Sequence, residues 1–430
     1  MCLKQRKSLG FAIRGHFFSR AAAHMWLFVS TYVTIVLRNV HQSSSIETRS
    51  EVRSLGSRGE EDSWCGEGVL MRSSEDIDDS GAVMFTVVIG TYNGARTLSM
   101  ALDALEAQIT EFSYEILVIN DASTDSTMEI ASRPSVRLIN LELNQGHGHT
   151  LNVGLGEACG QFMAMMDDDC VPPQRWIQQL GIAWNSVGPD VTMIGGLVEP
   201  FETDTFNRRY VAFRRPLRHQ EAQVSEDAGF WTRLRYQLSP PDIRSDPRPV
   251  YFTVGANMSV RVQTAREVGG FSETPGSGEE ESLALPLRSR FGPLTVQLFP
   301  SIVMRHNFHP LLRDTFRRSR SYGRASGREW VRDRDVPSLA PLLPCATLVA
   351  ALVAVVSPVS SLAVLILSPY ILYRRWFTWL RAGGSSEAIV YPYVQAGEDL
   401  ANNVGFAQGA WRELRMRRRL SKRSSRGSLG

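Results

Sequence analysis

Met165-Met166-Asp167-Asp168-Asp169-Cys170-Val171-Pro172-Pro173 is the stretch on which the reading of this chain turns. An apolar run enters three consecutive acids, and two prolines then stop the strand. Side chains two apart on an extended backbone project to the same side. Asp167 and Asp169 can therefore act together while Asp168 is directed elsewhere. Two hard carboxylates at a strand end suit an octahedral Mg2+ or Mn2+ whose shell is completed by phosphate oxygens and water. A solvated acidic turn is the plainer reading of a bare triplet, so its surroundings must decide.

Outward from the triplet, short apolar, β-prone runs alternate with helix-like stretches. Val83–Gly90, Tyr114–Asn120, Val136–Leu141, Phe162–Met166 and Val191–Gly195 read as strands. Arg96–Gln108, Thr124–Ala131, Thr150–Ala158 and Gln174–Trp184 read as helices between them. This rhythm predicts an α/β domain built on a doubly wound, mostly parallel sheet with flanking helices. Ligands in such sheets sit beyond the carboxyl ends of the strands, which singles out the polar residues that follow each apolar run.

The 430 residues are 43% hydrophobic and 21% charged, the composition of a folded chain with a sizeable core. A net charge of +3 gives no sign of a nucleic-acid binder. Cys2, Cys65, Cys159, Cys170 and Cys345 are odd in number and have no CxxC spacing, which argues against a disulfide framework or a zinc site.

The ends of the chain have a different character. Residues 1–40 contain an apolar run, Ala21–Leu37, read either as an N-terminal membrane segment or as a misassigned start, since Met84 stands just before the first strand. Residues 41–82 read as a disordered linker, and 83–330 as the α/β domain. Residues 337–375 include an apolar stretch too long for one crossing, divided by Pro358 and flanked on both sides by arginines. Basic flanks on both sides favour a transmembrane or re-entrant hairpin with both ends in the cytoplasm, the alternative being a buried helical hairpin. Residues 376–430 comprise an amphipathic segment over 388–411 and a basic tail suited to anionic membrane lipids.

A family resemblance then rests on several motifs in order. Val87-Val88-Ile89-Gly90-Thr91-Tyr92-Asn93 opens the domain, and Glu115–Asp125 follows with Asn120-Asp121-Ala122-Ser123. Asn144-Gln145-Gly146-His147-Gly148-His149 and Asn152 precede the acidic triplet; Gly255-Ala256-Asn257-Met258, Gly269-Gly270-Phe271 and Gly278-Glu279-Glu280 follow it. In order and spacing the stretch from 84 to about 330 resembles the family 2 glycosyltransferases of the membrane-associated bacterial type, which have the GT-A fold.

The resemblance implies roles. Thr91, Asn93 and Asp121 match nucleoside-holding positions, usually for uridine. The plainer reading of Asp121-Ala122-Ser123 is a turn that caps the next helix. His147, in a loop whose backbone N–H groups can meet phosphate, and Asp168 are further candidates for the nucleotide sugar. Asp167 and Asp169 match the metal-binding DxD pair. Glu280 matches the general base, although Glu279-Glu280-Glu281 departs from the commoner Glu-Asp pair and leaves Glu279 as an alternative. His306, in Arg305–Pro310, can complete the metal shell or be structural, and the arginines of the following Arg317–Arg324 run can hold diphosphate or serve as a membrane flank. The aromatic and arginine-rich segments Phe206–His219 and Phe230–Tyr236 are candidates for the acceptor side.

The implied activity is inverting, metal-dependent transfer of one sugar from a nucleoside-diphosphate sugar, UDP-linked as is usual in the family, to a lipid-linked or glycan acceptor. The implied setting is cell-envelope polysaccharide or glycolipid synthesis at the cell membrane, in a multi-pass protein whose catalytic domain faces the cytoplasm. A polyprenyl-phosphate sugar synthase is the alternative within the enzyme class, and a catalytically silent membrane scaffold is the alternative outside it.

Overall fold

The computed structural model describes residues 84–214, 245–273, 278–333, 350, 352–354, 357–372 and 386–427. The expectations for residues 1–40 and 41–82, and for Phe230–Tyr236, fall outside these residues.

The alternating runs become elements in the expected order. Strands β1 (Phe85–Thr91), β2 (Tyr114–Asn120), β3 (Val136–Asn140), β4 (Phe162–Met165) and β5 (Cys170–Val171) are interleaved with helices α1 (Leu98–Glu106), α2 (Thr127–Ala131) and α3 (His147–Glu157). Helix α4 (Trp176–Asn185), β6 (Met193–Pro200), α5 (Phe206–Arg214), β7 (Arg248–Pro249), β8 (Met258–Arg261), α6 (Val262–Glu267), α7 (Glu279–Phe291), β9 (Val296–His306) and α8 (Leu312–Asp333) follow. Helix α9 spans Pro358–Leu372 and α10 spans Tyr391–Gly427.

β2 is buried at every position, as a central parallel strand covered on both faces should be. Its one acid, Glu115, is accommodated because Arg137 and the Thr86 hydroxyl both reach its carboxylate. Helix α1 buries Leu98, Ala101, Leu102 and Leu105, an i, i+3, i+4, i+7 stripe against the sheet.

Among the described residues the sheet has nine strands in the order β3-β2-β1-β4-β8-β6-β9-β5, with β7 on β9. β1 is parallel to β2 and β4, but β8 runs antiparallel to both β4 and β6, and β5 antiparallel to β9. The expected mostly parallel sheet is therefore a mixed one. β8 enters directly from the short turn Gly255–Asn257 and lies antiparallel between two parallel pairs. Asn257 holds that turn in place. It donates to the Leu197 and Ile302 carbonyls and accepts from the Trp176 indole N–H, joining β6, β9 and α4.

Helices α8 and α10 pack together through reciprocal glycines. A Cβ on Gly323 or Gly327 would stand 2.0 or 2.1 Å from the Asn402 or Phe406 carbonyl, and one on Gly405 or Gly409 would stand 2.1 Å from the Arg320 or Arg324 carbonyl. Backbones meet there at a distance that no side chain permits. The expected amphipathic segment thus forms part of a longer helix whose inner face is already covered.

Residues 337–349, 351, 355–356 and 373–375 of the expected hairpin lie outside the described residues, and no membrane-crossing hairpin is found among those described. Among the described residues no helix is long and apolar enough to cross a membrane. Helix α9 has 15 residues, a rise of about 22 Å against a hydrocarbon core of about 30 Å. It belongs to a compact unit separate from the sheet domain. Pro358 occupies its first position, where a proline fits without losing a hydrogen bond. Val359, Leu362, Ile366 and Leu367 on this helix are exposed.

Substituting Gly405→Leu should lower the free energy of unfolding by about 1–3 kcal/mol through overpacking. Gly188→Ala, where an added Cβ meets nothing within 4 Å, should leave it within about 0.5 kcal/mol. Urea denaturation of both variants checks the close contact.

Candidate active site

The acidic triplet lies not on the strand but in the turn between β4 and β5, closed by the Cys170 N–H donating to the Asp167 carbonyl. Antiparallel pairing of Cys170 with His306 brings β9 alongside, and the Asn307 N–H donates to the Asp169 carbonyl at 2.8 Å. His306 Nε2 consequently sits 3.3 Å from Asp169 Oδ1 and 3.7 Å from Asp167 Oδ2. The imidazole is stacked on Phe308, with ring centroids 4.2 Å apart. Its Nδ1 is buried without a hydrogen-bond partner.

Asp167 and Asp169 thus share a side because a turn folds them there, rather than by strand alternation. Asp168 points away from that pair, but it has a partner of its own. Its carboxylate faces the end of β1 and accepts the Thr91 hydroxyl at 2.5 Å. The triplet is therefore divided between two halves of the cleft.

Each acid responds to its surroundings. Burial pushes Asp167 up, but the hydrogen bond and charge of His306 more than offset it and hold the carboxyl below its ordinary range. Burial raises Asp169, with Asp167 adding to the effect. Asp168 is pushed up to about 6, by burial first and then by Asp169 and Asp167, against the opposing Thr91 hydrogen bond.

Ligand atoms of Asp167, Asp169, Cys170 and His306 lie within 4.8 Å of one another. Two carboxylates and an imidazole fit a divalent Mg2+ or Mn2+. Cys170 does not extend this set: burial pushes its thiol well up, and a protonated thiol is a poor ligand for a hard cation.

The nucleoside-side candidates cluster at the ends of β1 and β2. Asn93 and Ala122 are the described non-glycine residues with left-handed backbones, at φ 56° and 57°. Their turns are cross-tied: the Ser123 hydroxyl accepts the Asn93 N–H, and Asn93 Oδ1 accepts the Thr124 N–H. Asp121 is buried, and its two carboxylate oxygens accept the Gln145 and Gly146 N–H groups at 2.8 and 2.9 Å. Neither Asp121 nor Ser123 caps the next helix; Asp125 accepts the Thr127 N–H and holds its start. His147 is exposed at the first position of α3, and its charge reaches Asp167, Asp168 and Glu280.

Of the three glutamates opening α7, Glu280 is the one tied to the cleft. Its Oε1 accepts the Gly255 N–H at 2.9 Å. Burial raises its carboxyl, and Asp167 adds to this against the opposing Gly255 N–H and His147. Glu279 is near enough for its charge to be felt by Tyr322, which also feels Glu280.

Helix α8 brings two members of the Arg317–Arg324 run to the acidic turn. Arg318, stacked over Phe308, acts on both Asp167 and Asp169, and Tyr322 feels Arg318, Glu280 and Asp167. The helical spacing of Arg318 and Tyr322 was the available signal, hidden among seven arginines on α8. By contrast, Arg208 and Arg209 in the expected acceptor segment are occupied. Arg208 pairs with Glu202 and Asp204, and Arg209 pairs with Glu387.

Residues 86–265 match the family described as Glycosyl transferase family 2. The chain is 36% identical over 120 residues to the glycosyltransferase AglE of Haloferax volcanii, covering 26% of this chain and 39% of that one. It is 38% identical over 94 residues to the succinoglycan biosynthesis protein ExoO of Rhizobium meliloti, covering 21% and 27%. The chain thus spans well under half the length of these relatives. Among solved structures, it is similar to a mannosyltransferase of Pyrobaculum calidifontis in complex with GDP-Man and Mn2+, with a TM-score of 0.46 and 16% identity over 78% of this chain and 89% of that one.

Because Asp168 is raised from its ordinary 3.8 to about 6, the fold holds its proton more tightly than the unfolded chain does. Its contribution to stability is full below the lower value and is lost as pH rises through the upper one. Asp168→Asn should therefore gain more in unfolding midpoint over wild type at pH 7.5 than at pH 4. Thermal denaturation in the presence of a chelator checks the sign.

Proposed function

We propose, from the match of residues 86–265 to glycosyl transferase family 2, that the protein transfers one sugar, with inversion, from a uridine-diphosphate sugar to a lipid-linked or glycan acceptor. The observation that carries this reading is the proximity of two groups. The Asp167–Asp169 turn with His306 forms one, and the Glu280 carboxylate, raised by burial and close enough to feel the charge of Asp167, is the other.

Asp167, Asp169 and His306 are the residues that would hold Mg2+ or Mn2+, and a bound ion supplies the positive charge that a departing diphosphate requires. Glu280 takes the proton from the acceptor hydroxyl. Its raised basicity suits that step, since a carboxylate of ordinary strength is a weak base. The Gly255 N–H fixes one of its oxygens and leaves the other for the acceptor. Thr91, Asn93 and Asp121 line the nucleoside side. A carboxylate has about four lone-pair sites, so Asp121 can hold the loop at Gln145–Gly146 and still accept from a base imide. Asp168, restrained by Thr91, faces the donor sugar, and His147 faces its phosphates.

The acceptor class follows from charge and exposure. Helix α8 carries seven arginines against three acids, and α10 carries eight basic residues against three acids. Opposite its glycine face, α10 exposes Tyr393, Leu400, Trp411 and Leu414, with Arg415 stacked over Trp411. An apolar stripe beside concentrated positive charge suits an anionic membrane surface. This supports a catalytic domain seated on the cytoplasmic face of the membrane, next to the acceptor. The likeness to a succinoglycan biosynthesis protein supports envelope polysaccharide synthesis as the setting. Arg318 beside the acidic turn favours, as a second reading, a bare polyprenyl phosphate as acceptor.

Glu280→Gln should cut transfer by about 10²–10⁴-fold while leaving uridine diphosphate binding in Mn2+ unchanged. In wild type the acid limb should lie above the ordinary carboxylate value, with activity lost as pH falls through it. A panel of labelled UDP-sugars, assayed against membrane lipid extract and, separately, polyprenyl phosphate, checks both. Full transfer by the variant would remove Glu280 from the mechanism.

A further inference from the structure

Glu280 approaches the cleft from α7, whereas the nucleotide half of the site ends at α3. Asn152 is at the centre of the contacts that join these two parts. Asn152, on the second turn of α3, accepts the Phe271 N–H at 2.8 Å and donates to the Phe271 carbonyl at 2.9 Å, gripping that residue's backbone from both sides. The same amide donates to Glu273 Oε1 at 3.0 Å, and His149 Nδ1 lies 3.2 Å from that oxygen. Helix and loop lie very close, since a Cβ on Gly148 would stand 2.2 Å from the Ser272 carbonyl.

The loop is linked onward to the base. The Ser272 N–H donates to the Ser282 hydroxyl, which donates to the Glu279 carbonyl in the first turn of α7. At its other end α3 starts directly after Gln145 and Gly146, whose N–H groups Asp121 holds. A continuous path of hydrogen bonds and one helix therefore runs from Asp121, through α3 and Asn152, to the backbone that carries Glu280.

We propose that Asn152 is a positioning residue that sets the Glu280 backbone according to the state of the nucleotide loop, so that donor binding orders the base. The inference rests on the functional reading above. A nucleoside diphosphate that fixes the Gln145–His147 loop fixes the start of α3, and an eleven-residue helix moves as a rigid piece. Asn152 transmits that constraint because it holds both the donor and the acceptor of one peptide residue, leaving Phe271 little freedom to shift along the helix. Glu273 and His149 brace the contact from solvent. Ordering the base after the donor is bound also restrains an idle base from activating water, a physical reason for linking the two halves.

Hydrogen exchange of the full chain, read by mass spectrometry with and without UDP and Mn2+, and in a parallel arm with GDP, tests the link. In wild type the nucleotide should slow exchange several-fold both in peptides covering 120–147 and in those covering 278–285. In Asn152→Ala the first protection should persist and the second should be lost, with exchange there within about twofold of the nucleotide-free rate. Glu273→Ala, which removes only the exposed brace, should give a partial loss and covers the case in which Asn152→Ala does not fold. Retained protection of 278–285 in Asn152→Ala, or in Glu273→Ala if that is the variant that folds, would overturn the link while leaving the functional reading in place. Absence of protection at 120–147 in wild type with either nucleotide would overturn the functional reading and the link with it.

Discussion

Two residues of β5 paired with the end of β9 decide where the chemistry of this chain can occur. Cys170 opposite His306, with the Asn307 N–H on the Asp169 carbonyl, draws an acidic turn at the end of one strand against an imidazole more than 130 residues later. Without this pairing Asp167 and Asp169 would repel each other with no cationic neighbour. With it, His306 holds Asp167 ionised and Arg318 adds charge from above. Asn257 supports the pairing from beneath by fixing Ile302, four residues before His306 on β9.

That constraint separates the acids by role. Asp167 and Asp169 face the imidazole, Asp168 faces Thr91, and Glu280 comes from a different element and is fixed by a backbone N–H. Three of these four carboxyls are raised by burial. A folded protein holding several acids against their ionisation gives up stability at neutral pH, as is expected where positive charge from outside the chain completes a site. The strained turns at Asn93 and Ala122 have the same character: the backbone is held in a sparsely populated region by cross-turn hydrogen bonds at the mouth of the cleft.

The first half of the domain was legible because its signals are local. β2 runs from Tyr114 to Asn120, as its apolar run implies, and β1, β3 and β4 differ from the expected bounds by one or two residues. β1, β2 and β4 are contiguous, almost wholly buried runs between polar turns, and β3 is a half-buried edge strand. The second half depends on contacts distant in sequence. β8 is a four-residue strand whose direction is set by neighbours on both sides, and β9 draws its importance from a two-residue partner. The start of α3 was missed by three residues because His147-Gly148-His149 lacks helix-forming side chains. Its helical geometry is held by the Asp121 carboxylate instead. The separation of Asp168 from Asp167 and Asp169 was read from strand alternation, whereas a turn produces it. Arg318, Tyr322 and Asn152 acquire meaning only when helices far apart in the chain meet.

The central claim is that the Asp167–Asp169 turn and the Thr91–Asp121 region together hold a nucleoside diphosphate through a divalent ion. Isothermal titration of UDP into the protein with Mn2+, and again with the metal chelated, tests it most directly. The account predicts saturable binding with Mn2+ that is lost on chelation and strongly weakened by Asp169→Asn. Binding of equal strength with and without metal, or no binding of any nucleoside diphosphate, would contradict it.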